Sequence, residues 1–120
     1  MRPDRLLRIA AGYHLLLGLV FAVFPLDALR SLGLEVPRHW ALWYGALLGP
    51  VAVGGMLLWA ARDARLRPGL LAGAVLWNLL ALPLGIFFVL QVGLPRVLLG
   101  PAVAAGLWAW LLSGLYSADR

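Results

Sequence analysis

Apolar residues in this chain fall into four long runs rather than short alternating segments. The runs cover approximately 6–24, 41–61, 69–91 and 97–115, that is Leu6 to Phe24, Ala41 to Ala61, Gly69 to Gln91 and Val97 to Leu115. Each holds roughly 19–23 residues, enough for a helix rising 1.5 Å per residue to cross a hydrocarbon core about 30 Å thick. Stretches such as LLLGLVFAVF and AVLWNLLALPLGIFFVL lack the period-two alternation of a membrane barrel strand, which leaves helices as the spanning structure. The expected fold is all-α: an integral membrane four-helix bundle with antiparallel up-down connectivity, one four-span domain over residues 1–120. Short connections make consecutive helices antiparallel neighbours.

The breaks between runs are polar. In the first, Leu26, Leu29 and Leu32 recur with Asp27, Arg30 and Ser31 between them, which predicts a short interfacial helix over approximately 27–33. Gly33 and then Pro37 are expected to stop it before the second span. Arg62 to Arg67 reads as a tight charged turn, and Gln91 to Arg96 as a short turn broken by Gly93 and Pro95. Pro83 is the most interior proline of a run and is expected to kink the third helix.

Composition strengthens this picture. The 120 residues are 63% hydrophobic and 12% charged, with a mean hydropathy of +0.92. Soluble domains carry about 45–50% apolar and about 25% charged residues, and disorder needs low hydrophobicity, so both classes are excluded. Without cysteine the chain has no disulfide, thiolate metal site or cysteine nucleophile.

All ten basic residues are arginine, and five acids leave a net charge of +5. Arg2, Arg5, Arg8, Arg62, Arg65, Arg67 and Arg120 fall on one side of the expected topology, and Arg30, Arg38 and Arg96 on the other. The positive-inside rule then places both termini in the cytoplasm. The expected location is the bacterial cytoplasmic (inner) membrane, with multiple passes. The Arg-only, Ala/Leu/Gly-rich usage fits a GC-rich bacterial genome. The first run is read as a retained helix, because no small-x-small cleavage site follows it. So sparse a positive charge is not the dense basic face of a nucleic-acid binder.

Small residues mark the expected contact faces, since helices in lipid associate by close packing and hydrogen bonds. They are Ala10, Ala11, Gly18 and Ala22 around His14 in the first run, and Gly45, Gly49 and Ala52 in the second. Ala74, Asn78, Ala81 and Gly85 line the third, and Gly100, Ala104 and Leu107 the fourth. Trp40, Trp43 and Tyr44 at one end, with Trp59 and Tyr116 at the other, read as interfacial anchors.

Polar residues inside spans are the candidates for function. His14 and Asn78 lie about 12 Å and about 13 Å from the cytoplasmic ends of their runs, and Trp108 about 10 Å from the same side. Tyr13 and Trp77 precede the pair in sequence. The expected site is therefore His14, Asn78, Trp77, Trp108 and Tyr13, a polar spot in the inner leaflet ringed by aromatics. One reading makes it a hydrogen bond holding helices together. The sharper one makes it a shallow site for the oxygen atoms of a quinone or lipid headgroup. No metal site is expected, because a lone imidazole without a carboxylate is a poor ligand set and His39 lies beyond the opposite face. Nucleophilic and two-carboxylate mechanisms lack their residues, so no catalytic activity of its own and no resident cofactor are expected.

The run closing at Phe24-Pro25, the following Leu26-Asp-Ala-Leu-Arg-Ser-Leu-Gly-Leu34 and the aromatic opening His39-Trp40-Ala-Leu-Trp43-Tyr44 resemble the DoxX-like small four-helix bacterial membrane proteins. The likeness covers most of the chain in layout more than in motif, and it transfers no functional residue. The name-giving member is similar to a small membrane subunit associated with a thiosulfate–quinone oxidoreductase. The resemblance implies an accessory or quinone/lipid-interacting membrane subunit, with other membrane subunits or further copies of the chain as partners beside the lipid bilayer. A scaffold subunit without a ligand is the alternative. A four-span small transporter is a further one, although that family carries an acidic residue in its first helix and this chain has only His14 there.

Overall fold

The computed structural model describes residues 2–23, 36–92 and 99–118, with side chains over 2–20, 48–91 and 99–118. These residues form four helices and, among the described residues, no strand. Helix α1 spans Pro3–Val23, α2 Val36–Arg62, α3 Arg67–Phe87 and α4 Leu99–Ala118. A π-helical turn, Phe88–Val92, extends α3. The interfacial helix expected over 27–33 lies outside the described residues.

α1 and α3 begin three and two residues before the start expected from hydropathy alone, and proline accounts for both. Pro3 and Pro68 each occupy the first turn of a helix. There a missing N–H costs nothing, because the first N–H groups have no intrahelical acceptor, and the fixed φ is already helical. Pro37 was expected to end a helix; instead it lies within α2, next to the first described residue of that helix, Val36. Pro50 and Pro83 lie within α2 and α3, and both helices continue through them.

One core joins the four helices at one end. Leu7, Ala10 and Ala11 of α1, Val53, Leu57 and Ala60 of α2, Leu71 and Ala74 of α3 and Leu112 of α4 are buried against one another. The beginnings of α1 and α3 thus meet the ends of α2 and α4. The Asp63–Leu66 turn closes the same end. Asp63 Oδ1 accepts from the Arg65 N–H at 2.9 Å, an Asx turn that reverses the chain in few residues. Arg2, Arg5, Arg8, Arg62, Arg65 and Arg67 belong to this end by position, on the first turns of α1 and around the turn.

Packing is uneven among the helices. α1 packs mainly on α2 and α3 mainly on α4, with a lesser seam between α2 and α3. Close approach is made by glycine. A Cβ on Gly54 would sit 2.7 Å from Leu15 Cγ and 3.2 Å from the Ala11 carbonyl, and one on Gly85 would sit 2.7 Å from Ala102 Cβ. The buried stripe of α2 runs through Val53, Leu57 and Ala60; of the expected Gly45, Gly49, Ala52 line, Ala52 is exposed, Gly49 is half-buried against Trp77, and Gly45 lies outside the residues whose side chains are described. On α4 the stripe is Ala102, Ala105, Ala109 and Leu112 rather than Gly100, Ala104 and Leu107. In both helices several small residues lie on adjacent faces, so size alone does not choose the buried one.

Outward faces are apolar. Leu16, Leu19, Leu48, Leu76, Leu90, Val103 and Leu107 are all exposed, as is Trp110 at 71%. Among the described residues, two helices, Arg67–Gln91 and Leu99–Ala118, are long and apolar enough to cross a membrane.

Candidate functional site

A heptad-like face of α1 carries Leu7, Ala10, Ala11, His14 and Gly18, all buried, because residues three and four apart share one side of a helix. On α3 the matching face carries Leu71, Ala74 and Asn78. α1 and α3 are not a main packing pair, and the two polar side chains reach across between them. His14 Nε2 lies 3.2 Å from Asn78 Oδ1. Both residues are almost fully enclosed, at 2% and 1% exposure.

Each partner is also tied to its own helix. His14 Nδ1 donates to the Ala10 carbonyl at 2.7 Å, and Asn78 Nδ2 donates to the Ala74 carbonyl at 2.9 Å. Both are bonds back to the residue four earlier, which hold a polar side chain against the helix wall. An unsatisfied polar group here would cost about 1–3 kcal/mol.

Aromatic rings complete the surroundings on one side. Tyr13 meets the His14 ring edge to face, with centroids 5.2 Å apart and planes at 89°. Trp108 of α4 lies 6.1 Å from the His14 centroid and 5.6 Å from that of Tyr13. Among the described residues neither the Tyr13 hydroxyl nor the Trp108 indole N–H has a hydrogen-bond partner.

Four of the five residues read from the sequence are therefore together: His14, Asn78, Tyr13 and Trp108. Trp77 is placed elsewhere. Its six-membered ring lies directly over Gly49 of α2, and the residue is 37% exposed. One residue along a helix is a rotation of about 100°, so a neighbour of Asn78 in sequence faces another helix. His39 lies in the first turns of α2, at the opposite end from the Asp63–Leu66 turn. Among the described residues no three His, Asp or Glu side chains converge.

Sequence reasoning missed a second polar node. Arg67, the first residue of α3, donates from Nε to the Ala60 carbonyl at 2.9 Å and from Nη2 to Asp4 Oδ1 at 3.1 Å. Ala60 is in the last turn of α2, where carbonyls lack an intrahelical donor, so the guanidinium caps one helix while pairing with another. The signal available was Arg67-Pro68: a helix start beside a long donor.

No protein-family model matches this sequence, and no curated protein or solved structure matches it either.

Proposed function

We propose that the chain is an integral membrane protein of the bacterial cytoplasmic membrane, a four-span antiparallel up-down bundle with both termini cytoplasmic. In this reading it is an accessory subunit whose inner-leaflet polar site receives the oxygen-bearing head of a quinone or lipid. The membrane part is supported by the exposed leucines and Trp110, since soluble monomers rarely expose contiguous apolar patches beyond a few hundred Å². The orientation is supported by the arginines gathered at one end. The DoxX-like layout supports the accessory-subunit role.

The ligand part rests on one observation. Beside a His14–Asn78 pair already bonded to protein, the Tyr13 hydroxyl and Trp108 N–H have no partner among the described residues. Both residues are half-buried, and a ligand oxygen would satisfy donors that the described residues leave open. Tyr13 and Trp108 are then the hydrogen-bond donors, with His14 and Asn78 as the fixed wall behind them.

Mild-detergent purification followed by native mass spectrometry tests this reading. The expected result is a retained quinone or lipid that is lost in Tyr13→Phe/Trp108→Phe, while the helical circular-dichroism signal stays. An unchanged ligand complement in that variant overturns it.

A scaffold role without a ligand is the second reading. It is favoured by the His14–Asn78 contact, which joins α1 to α3 and is of the interhelical kind worth about 0.6 kcal/mol on average. Co-purified partner chains with no retained small molecule would select it.

A further inference from the structure

Charge at the arginine-rich end is unbalanced. Asp4 there pairs with Arg67, and Asp63 Oδ1 accepts from the Arg65 backbone N–H. Among the described residues no carboxylate pairs with the side chains of Arg2, Arg5, Arg8, Arg62 or Arg65, and all five are exposed.

Helix geometry gathers three of these arginines along one groove. Gly54 of α2 packs against Ala11 and Leu15 of α1, while Ala60 shares the Arg67 guanidinium with Asp4, so α1 and α2 run in opposite directions. Gly12 then stands level with Gly55, and Arg5 level with Arg62. At about 100° per residue, Arg5, Arg8 and Gly12 fall within about 80° of Leu15, on the side turned away from His14. Gly55 and Arg62 fall within about 100° of Gly54, on the side turned away from Gly49, which takes the Trp77 ring of α3. Both sets border the outer groove of the α1–α2 seam. That groove is open, since a Cβ on Gly12 or on Gly55 would meet nothing within 4 Å beyond its own helix. The glycines lie one to two turns below the arginines, about 6 Å from Arg8 to Gly12 and about 10 Å from Arg62 to Gly55.

We propose that this groove binds one anionic phospholipid, its phosphate on Arg5, Arg8 and Arg62 and one acyl chain laid over Gly12 and Gly55. Charge complementarity selects the headgroup. Guanidinium groups hold phosphate oxygens through paired N–H bonds, and with no acid engaged beside them they repel the ammonium of a zwitterionic head. Their long stems reach from the helix surface to headgroup level. Basic surfaces beside membrane helices on the cytoplasmic side collect such lipids. The missing side chains at Gly12 and Gly55 leave the space that the acyl chain fills. This rests on the membrane reading above and not on the Tyr13–Trp108 site, which occupies another face of α1.

Two measurements on the full chain test it. The first is flotation with phosphatidylcholine vesicles after an alkaline carbonate wash, which reports membrane insertion without any anionic lipid. The second is native mass spectrometry of delipidated protein given equal amounts of phosphatidylglycerol and phosphatidylcholine with the same acyl chains. The expected result is carbonate-resistant flotation and one phosphatidylglycerol per chain. Its preference over phosphatidylcholine should exceed about tenfold, since each arginine near an anionic surface favours it several-fold. Arg8→Gln/Arg62→Gln should lose most of that preference, and Arg2→Gln/Arg65→Gln, with the same charge removed, should keep most of it. Gly12→Leu/Gly55→Leu, with every arginine in place, should lose the bound lipid while its helical circular-dichroism signal stays. A chain that floats but shows no phosphatidylglycerol preference overturns the proposal and leaves the membrane reading standing; a chain that does not float overturns both. Equal losses in the two arginine variants mean diffuse attraction and overturn the site. Undiminished lipid in the leucine variant overturns the acyl groove.

Discussion

Arg67 and Asp4, 63 positions apart in sequence, are joined by a 3.1 Å contact between Nη2 and Oδ1, and the same guanidinium caps the last turn of α2 through the Ala60 carbonyl. One side chain thus connects three helices at the arginine-rich end. Its two bonds differ in setting. Asp4 is 60% exposed on its side chain, where solvent screens the pair, while Arg67 is largely covered.

The two substitutions at this node should therefore separate. Asp4→Asn is expected to cost under about 1 kcal/mol, in the range of exposed ion pairs. Arg67→Ala is expected to cost about 1–3 kcal/mol, because it also strands the Ala60 carbonyl. Thermal unfolding in detergent micelles measures both. Equal losses would mean that the Ala60 bond contributes nothing.

Gly49→Ala should destabilise the protein by about 1–3 kcal/mol, the cost of overpacking a formed contact. Its new methyl would fall within the Trp77 ring, which must leave the Gly49 groove to make room. Adding Trp77→Leu should recover most of the loss. Gly73→Ala is the contrasting case. Its methyl would meet only the Met56 Cε, at 2.6 Å, the free end of a flexible chain. That variant should stay within about 0.5 kcal/mol of the parent. The same unfolding measurement ranks the three.

A double-mutant cycle tests the central pair. His14→Leu removes the side-chain partner that faces the buried Asn78 amide from α1 and should cost about 1–3 kcal/mol. Replacing both residues by leucine removes the buried amide as well and should cost less than the sum of the single changes. Strict additivity would show that the two side chains are not coupled.

Topology gives a fourth expectation. Reporter fusions at Arg67 and Arg120 should read as cytoplasmic, and one at Arg38 as external, from the distribution of arginines. A reversed reading at any of the three contradicts the proposed orientation.

Helix existence was legible from sequence because four long apolar runs admit little else. The starts of α1 and α3 were less so, because hydropathy marks where lipid-compatible residues begin, whereas Pro3 and Pro68 mark where backbone geometry begins. The His14–Asn78 pair was legible for a geometric reason. Both residues sit at comparable depth on buried, alanine-lined faces, so the two polar groups meet inside the core. The position of Trp77 was not legible from the same depth argument. Depth fixes height along a helix but not direction around it, and the groove at Gly49 takes the ring. Arg67 escaped notice because its role depends on two distant partners, a carbonyl and an acid, neither of which has a local sequence pattern.

The uneven packing has a consequence for the integrity of the chain. Since α1 lies mainly on α2 and α3 mainly on α4, residues up to Asp63 and residues from Ala64 onward form two helix pairs. Contacts between the pairs include side chains rather than the peptide link alone: His14 to Asn78, Asp4 to Arg67, Gly49 against Trp77 and Tyr13 against Trp108. Helices inserted separately into lipid can still associate through such contacts. Two polypeptides co-expressed from a gene split between Asp63 and Ala64 should therefore co-purify as a complemented whole, and His14→Leu/Asn78→Leu should weaken that recovery. The loop at the arginine-rich end would then serve to keep the two halves at equal copy number.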